Sequence, residues 1–268
     1  MVEIHPSAVV HKDACLDNGV TVGPNCVVES GVSIGAGTKV DANVVIGKDV
    51  KIGEENCFHS NCVIGGRPQI LGQGADAPVG GLVIGDRNQI REQVTIHPSI
   101  YEDKYTKIGS DNLLMIGVHI GHDCTIEDKI VMSNYAQISG HCKIETGVWL
   151  SGMVVIHQFC TIGKWCYAAG LAGLNRDIPP FLIVSGHYPP KVRGVNRRGL
   201  LRAGLDEQER QRIQEAYERL YRRSGPLLKN AKSLAQEDGL DENVRAMIDA
   251  ILKSSEHRFG RYLETFRH

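Results

Sequence analysis

The stretch from residue 119 to residue 141, HIGHDCTIEDKIVMSNYAQISGH, contains three histidines whose spacing suggests proton-transfer or metal chemistry. His119 and His122 are close neighbours in the chain, whereas His141 lies nineteen residues after His122. An imidazole titrates near neutral pH and can act as a general base, and its ring nitrogens also bind metal ions. Which chemistry applies depends on the fold that brings these rings together.

A six-residue repeat of apolar residues indicates the fold. Every sixth residue is apolar from Ile4 to Ile64 and again from Ile84 to Leu174, with Glu102 as the exception. A helix would place apolar residues every three or four positions and an ordinary strand every second position. The repeat predicts short strands joined by tight turns, three to a triangular coil of about eighteen residues. We therefore expect a mainly β protein built as a parallel β-helix, and resemblance to the hexapeptide-repeat class makes it left-handed.

The cysteines follow the same repeat. Six of the eight lie four residues after an inward-facing aliphatic residue, a position otherwise held by small residues such as Ala136: Cys26, Cys62, Cys124, Cys142, Cys160 and Cys166. A free thiol behaves there as a small hydrophobe that fills a tight corner. With no CxxC pair in the chain, we expect a structural role rather than a zinc site.

The repeat also predicts the domain boundaries. We expect a β-helix over residues 1–190, with inserted loops at 65–83 and 98–107, and a helical C-terminal domain over residues 191–268. In the second domain, Asp206 with Glu209 forms the pattern of a capping box at a helix start, and Asp241 is placed to cap a later helix.

Composition excludes several classes of function. Lys and Arg total 30 against 31 Asp and Glu, which argues against a general binder of nucleic acid. No apolar run approaches the roughly 20 residues needed to cross a bilayer. The N-terminus lacks the pattern of a signal peptide, so we expect a cytoplasmic protein. A local basic surface is nevertheless predicted between Ile178 and Leu205, which contains no acidic residue and five cations: Lys191, Arg193, Arg197, Arg198 and Arg202.

An eighteen-residue coil would gather the histidines along one edge. His122 and His141 would lie on adjacent coils at nearly the same angle, His157 one coil further, and His119 across the same corner, with His97 nearby. Three interpretations follow: inert turn histidines, a metal site formed by His97, His119 and His122, or one general base among polar groups that hold a substrate.

Several motifs sharpen this choice. The segments IGDRNQIRE, VTIHPS, GSDNLLMIGVHIGHDC, ISGH, VIHQFCTIG, DIPPF and GVNRRGL resemble those of the UDP-N-acetylglucosamine 3-O-acyltransferases over nearly the whole chain. That family takes an acyl chain from acyl carrier protein in the first step of lipid A biosynthesis. The resemblance implies a homotrimer with active sites between subunits, acyl carrier protein and a UDP-sugar as partners, and neither cofactor nor metal.

The resemblance also assigns roles to residues of this chain. His122 matches the catalytic base, Asp123 the carboxylate that orients it, and the N–H of Gly140 the donor to the oxyanion. Gly170 matches the position that sets acyl length. Matches to substrate-binding positions are Gln69, His97, His119, His141, His157, Gln158, Asn196 and Arg202.

The chain departs from the family in its grip on the acceptor. Ile70 and Gly72 replace an Asp and a Lys that hold the sugar, and Asp76 is a candidate substitute for the acid. Near the tail, Arg198 replaces a Glu and Ala203 replaces an Arg. The exact acceptor, and O- versus N-acylation, therefore stay open. The alternatives are another UDP-sugar or UDP-amino-sugar, a metal-dependent lyase resembling carbonic anhydrase, and an inactive hexapeptide scaffold.

Overall fold

Three parallel sheets form the faces of a triangular prism. The computed structural model describes residues 1–72, 74 and 77–267. Almost every hexapeptide contributes one two-residue strand, and strands three apart in the chain pair in parallel. The strands before the first insertion are β1 (Glu3–Ile4), β2 (Val9–Val10), β3 (Cys15–Leu16), β4 (Thr21–Val22), β5 (Val27–Val28), β6 (Ser33–Ile34), β7 (Lys39–Val40), β8 (Val45–Ile46), β9 (Val50–Ile52), β10 (Cys57–Phe58) and β11 (Val63–Ile64).

The prism continues after the insertion with the same arrangement. These strands are β12 (Gly81–Ile84), β13 (Gln89–Ile90), β14 (Thr95–Ile96), β15 (Tyr105–Ile108), β16 (Leu113–Leu114), β17 (His119–Ile120), β18 (Thr125–Ile126), β19 (Val131–Met132), β20 (Gln137–Ile138), β21 (Lys143–Ile144), β22 (Trp149–Leu150), β23 (Val155–Ile156), β24 (Thr161–Ile162), β25 (Tyr167–Ala168), β26 (Gly173–Leu174), β27 (Leu182–Ser185) and β28 (Lys191–Val195). The described strands form sheets of eleven, nine and eight strands, which confirms the predicted β-helix.

The apolar repeat fills the inside of the prism. Phe58, Ile64, Leu114 and Ile138 are each fully buried, and the same holds for most residues of the repeat. The first coil is the exception, because no coil lies below it: the Ile4 side chain is 47% exposed. Burial of a stacked aliphatic column stabilises the prism, since each buried side chain contributes about 1.5–3 kcal/mol.

The corner cysteines are buried as predicted, and they also link coils. The thiol of Cys124 donates to the carbonyl of Ser139 at 3.2 Å, and that of Cys142 donates to the carbonyl of His157 at 3.1 Å. Burial raises the pKa of the Cys62 thiol to about 12. The Cys62 thiol is therefore protonated at neutral pH rather than a nucleophile.

Both insertions are shorter than expected. The first ends at residue 80 rather than 83, because Leu82 pairs with Val50 of β9 and returns the chain to the coil register. The second ends at residue 104, because β15 begins at Tyr105 and pairs with β12. Each loop therefore leaves and re-enters the prism at one corner, without disturbing the stack.

The end of the prism extends past the expected boundary at residue 190. Strand β28 pairs antiparallel with β27 and closes the eleven-stranded sheet at Val195. The helical part follows, with α1 (Arg197–Arg202), α2 (Glu207–Tyr217), a π-helical turn (Glu218–Arg222), α3 (Leu227–Leu234), α4 (Glu242–Ser254) and a 3₁₀ turn (Tyr262–Phe266). None of the described helices is long and apolar enough to cross a membrane.

Two predicted helix caps are confirmed. The Asp206 carboxylate accepts from the N–H of Glu209, whose own side chain accepts from the N–H of Asp206. The Asp241 carboxylate accepts from the N–H of Asn243 at the start of α4. Each cap satisfies N–H groups that have no partner within the helix.

Candidate active site

His122 and Asp123 form a hydrogen-bonded pair in the turn after β17. The Nδ1 atom of His122 lies 2.8 Å from Oδ2 of Asp123. Because an ionised carboxylate only accepts, Nδ1 carries the hydrogen and Nε2 keeps a lone pair. The turn places Asp123 at φ 59°, a left-handed conformation that Asp tolerates better than bulky residues do. The corner therefore presents an imidazole in the tautomer that a general base requires.

The second insertion supplies further contacts to Asp123. The hydroxyl of Ser99 donates to Oδ1 of Asp123, and the N–H of Ile100 donates to Oδ2 at 3.3 Å. Burial opposes ionisation, but the hydrogen bonds from His122, Ser99 and Ile100 outweigh it and hold the pKa of Asp123 below its ordinary value. The N–H of Asp123 in turn donates to the hydroxyl of Thr106 at 2.8 Å. A loop outside the repeat thus fixes the carboxylate that orients His122.

Gly140 lies directly against the His122 ring. A Cβ atom at this position would lie 2.7 Å from Nε2 of His122, so a larger residue would block the free nitrogen. Among the described residues, the N–H of Gly140 has no hydrogen-bond acceptor. A free N–H beside the free nitrogen of a base is the arrangement needed to stabilise an oxyanion that forms near that base.

His141 lies across the same corner. Its ring centroid is 4.9 Å from that of His122, and its Nε2 is 4.0 Å from Oδ2 of Asp123. The ring stacks on Phe159 at 4.5 Å, with an angle of 3° between the planes. Burial lowers the pKa of His141. The sequence predicted the approach of His122 to His141 but missed Phe159, although Phe159 lies eighteen residues after His141 and the coil period could have found it.

His119 and His97 form a second pair beside the first insertion. Their ring centroids are 5.1 Å apart, and Nδ1 of His119 lies 2.9 Å from the hydroxyl of Thr95. His97 donates from Nδ1 to the carbonyl of Gly66 at 2.8 Å, and its buried Nε2 has no partner among the described residues. Burial, followed by the charges of His97 and His122, lowers the pKa of His119 to about 4. The His119 ring can therefore offer a neutral hydrogen-bonding group to a ligand.

The geometry groups different residues from those considered for a metal. In the described part of the chain, the ligand atoms of His122, Asp123 and His141 lie within 4.8 Å of one another. The predicted trio of His97, His119 and His122 does not form such a group. Within the observed trio, the hydrogen bond from Nδ1 of His122 to Asp123 already engages the carboxylate.

The remaining predicted residues are divided between this edge of the prism and other parts of it. His157 and Gln158 lie on the same edge as His122, and Nδ1 of His157 lies 3.1 Å from the carbonyl of Gln158. Gly170 lies at the next corner, between β25 and β26. Asn196 donates to the carbonyl of Trp165 at 2.8 Å, and the Arg202 guanidinium lies 4.8 Å from the Trp149 ring, both beside the eleven-stranded sheet.

The first insertion carries Gln69, Ile70 and Gly72, the positions that the sequence predicts to contact the acceptor. Ile70 is half-buried, Gln69 is exposed, and Gly72 has φ 84°. In the part of the chain that the structure describes, and apart from its chain neighbours, no atom lies within 4 Å of the point where a Cβ of residue 72 would lie. Asp76, the candidate substitute for the missing acid, lies outside the described residues.

Comparisons with known proteins give a consistent result. A family described as UDP-N-acetylglucosamine O-acyltransferase, domain 2, matches residues 177–260, and the bacterial transferase hexapeptide family matches residues 31–66. An acyl-[acyl-carrier-protein]–UDP-N-acetylglucosamine O-acyltransferase of Aliivibrio fischeri is 46% identical over 86% of this chain and 87% of its own length. Another from Paraburkholderia phymatum is 44% identical over 95% and 98%.

A solved structure extends the likeness to the fold. The UDP-N-acetylglucosamine acyltransferase of Francisella novicida superimposes with a TM-score of 0.85 and 34% identity, over 92% of this chain and 90% of that chain. A prism of hexapeptide coils with a His–Asp pair at one corner defines a hexapeptide-repeat transferase. Within that class, the chain belongs to the acyl-[acyl-carrier-protein]–UDP-N-acetylglucosamine O-acyltransferase family.

Proposed function

We propose that this protein transfers an acyl chain from acyl carrier protein to the 3-hydroxyl of UDP-N-acetylglucosamine, the first step of lipid A biosynthesis. The hydrogen bond from Nδ1 of His122 to Asp123 is the observation that carries the proposal, because it leaves Nε2 as a base beside the N–H of Gly140. The names and coverage of the relatives support the choice of donor and acceptor.

The chemistry follows from these three groups. Nε2 of His122 takes the proton from the sugar hydroxyl as its oxygen attacks the thioester carbonyl. The resulting oxyanion accepts a hydrogen bond from the N–H of Gly140, a contribution typically of about 3 kcal/mol. The C–S bond then breaks, and the thiolate receives the proton from His122. Asp123 stabilises the imidazolium that exists between the two transfers.

We further propose that the active enzyme is a homotrimer in the cytoplasm. Gly170, Asn196 and Arg202 lie beside other faces of the prism than the corner that holds His122. A site that uses all of them would have to combine corners of neighbouring subunits, as closed cyclic symmetry allows. Eight free cysteines fit a reducing compartment. His119, His141, His157 and Gln158 then contribute contacts to sugar, pyrophosphate or the pantetheine arm.

A substrate screen tests the function. The purified protein is incubated with acyl carrier protein thioesters of several chain lengths and with UDP-N-acetylglucosamine, UDP-amino-sugars or other UDP-sugars, and products are identified by mass spectrometry. We expect an O-acylated UDP-N-acetylglucosamine. Thioester hydrolysis without transfer to any sugar would overturn the proposal, and zinc-dependent hydration of carbon dioxide would favour the lyase alternative instead.

A further inference from the structure

A groove of about 320 Å³ opens beside Asp123 and His141, on the side of the corner that leads into the eight-stranded sheet. Its walls come from three separate parts of the chain: the coils themselves, the second insertion and the C-terminal tail. The insertion contributes Tyr101 and Lys104, and the tail contributes Phe266 and Arg267. Neither segment belongs to the hexapeptide repeat, so the groove is an addition to the catalytic corner.

The tail is held in place by buried polar contacts. The carboxylate of Asp177 accepts from the N–H of Thr161 at 2.7 Å and from the N–H of Tyr262 at 2.8 Å. Arg261 is buried and donates to the carbonyl of Asn175 at 3.0 Å. These contacts tie the chain to the last coils of the prism immediately before Phe266 and Arg267. The backbone that leads to those two residues is therefore held against the last coils.

Among the described residues, one cation of the groove, Lys104, forms no ion pair, and a second, Arg267, forms only a long one. Lys104 lies with Nζ 4.4 Å from the centroid of Tyr101, and the guanidinium of Arg267 lies 5.8 Å from the centroid of Phe159. The nearest carboxylate to Arg267 is that of Glu264, at 3.7 Å, which also pairs with Arg261.

The other charges of the groove are already engaged. Lys143 pairs with Glu127 at 3.1 Å and with Glu145 at 3.0 Å. Asp123, the carboxylate in the wall, accepts from His122 and from the insertion. Lys104 and Arg267 are thus the cations of the groove whose charge is least engaged, and both lie against aromatic rings. Their charges add to the effect of burial, which is the larger cause, in lowering the pKa of His141.

We infer that this groove binds a phosphate group of a substrate between Lys104 and Arg267, with the aromatic rings covering the adjoining part of the ligand. The inference rests on the proposed function, which supplies two phosphate-bearing substrates. One is the phosphopantetheine arm that carries the acyl chain, and the other is the pyrophosphate of the UDP-sugar. A phosphate oxygen accepts charge-assisted hydrogen bonds from both kinds of side chain.

Two single variants and a matched control test the groove. Lys104→Ala and Arg267→Ala each remove one cation, and Arg267→Lys keeps the charge. Arg258→Ala is the control, because Arg258 is an exposed cation of the same tail that packs on Phe259 at 4.3 Å and does not line the groove. Two ratios are measured, each in its own arm of the experiment. The first is kcat/KM for acyl-phosphopantetheine relative to acyl-pantetheine, and the second is the Kd of UDP relative to that of uridine.

We expect each alanine variant to lose about tenfold in one arm, as removal of a charge-assisted contact from a partly exposed site does, while Arg267→Lys and Arg258→Ala stay near the wild type. A loss in the first arm identifies the donor phosphate, and a loss in the second identifies the nucleotide. Unchanged ratios in both arms, or an equal loss in Arg258→Ala, would overturn the inference. Failure of the wild-type protein to acylate any sugar would instead overturn the proposed function, and UDP binding would still report on the groove.

Discussion

The His122 ring is oriented by one hydrogen bond, to Asp123. Its contribution to catalysis can therefore be measured without disturbing the fold. We predict that His122→Ala lowers kcat by about 10²–10⁴-fold, the usual range for loss of a general base. Steady-state acyl transfer from acyl carrier protein measures the effect. The matched control is His59→Ala, since Nδ1 of His59 lies 3.0 Å from Asp41 in a similar pair away from the site. Near-normal turnover of His122→Ala would remove this residue from the mechanism.

His119 gives stability a defined dependence on pH. Its pKa falls from 6.5 in the unfolded chain to about 4 in the folded protein. Between these values the unfolded chain takes up a proton that folded His119 does not, so its contribution to stability is present above pH 6.5 and is lost as the pH falls towards 4.

We therefore predict that His119→Gln loses less stability than the wild type when the pH is lowered from about 7 to about 4.5. Urea unfolding at both pH values measures the difference. His11→Gln controls for removal of one histidine, because the His11 side chain is 43% exposed at the outer surface. An identical loss in His119→Gln and the wild type would contradict the assignment.

The site residues that follow the repeat could be predicted from the sequence, whereas those on the insertions could not. His122 and His141 approach each other because both lie on the coil, where eighteen residues make one turn. Ser99 and Ile100 reach Asp123 from a loop whose path depends on its own packing. The six-residue repeat determines neither the length nor the direction of that loop. The contacts of Ser99 and Ile100 with Asp123 could therefore be identified only from the structure.

At the scale of the element, we propose that the first insertion contributes to binding of the acceptor. Restoring the charged pair, Ile70→Asp with Gly72→Lys, should lower the KM for UDP-N-acetylglucosamine, because each charge-assisted hydrogen bond contributes about 1.5–3 kcal/mol. Gly72 has space for a side chain, but its φ of 84° makes Lys cost roughly 1–2 kcal/mol. We therefore expect a net decrease in KM on the order of tenfold.

Leu71→Asp is the matched control for this loop. Leu71 lies between the two positions and is fully exposed, so the change adds an acidic charge to the loop without restoring the pair. A decrease in KM of similar size in the control would indicate a general charge effect. A weaker affinity of the double variant would mean that the loop holds the sugar through other residues, and Asp76 would be the next to replace.

The ends of the insertions also show where sequence reasoning fails at this scale. The Gly-rich and Pro-rich composition of 65–83 predicted a loop throughout, yet Gly81 pairs with Tyr105 across the eight-stranded sheet. The neighbouring strands determine that pairing, and the composition of the segment does not show which strands will lie beside it. The capping residues Asp206 and Asp241, by contrast, act within one helical turn and were predicted directly.

The whole molecule divides the predicted site among separate corners, and subunit mixing can test this. We predict that His122→Ala and Arg202→Ala are each nearly inactive alone but recover about a quarter of wild-type activity when co-expressed in equal amounts. Each shared site would take His122 from one chain and Arg202 from another. Half of the chains in the mixture have an intact His122 and the other half an intact Arg202, so about a quarter of the sites would contain both. Affinity tags on each variant verify that mixed oligomers form, and the activity of the unseparated mixture is assayed.

A mixture of His122→Ala with Asp123→Asn serves as the control. These residues form one pair within a single chain, so mixing cannot rebuild it. Recovery in this control, or none in the first mixture, would contradict a site shared between subunits. Light scattering of the wild-type protein measures the mass of its oligomer, which we expect to be three times that of the chain.

The two ends of the prism differ in how well they are covered, and we expect this difference to decide where thermal unfolding begins. At one end β28 runs antiparallel and covers β27, whereas at the other end Ile4 and Val9 remain exposed. A coil with a neighbour on one side only opens at a lower free energy than an interior coil. Five strands of the nine-stranded sheet precede β17, which leads into His122. We therefore expect thermal unfolding to begin at the amino-terminal end and to open several coils before it reaches the corner that holds His122.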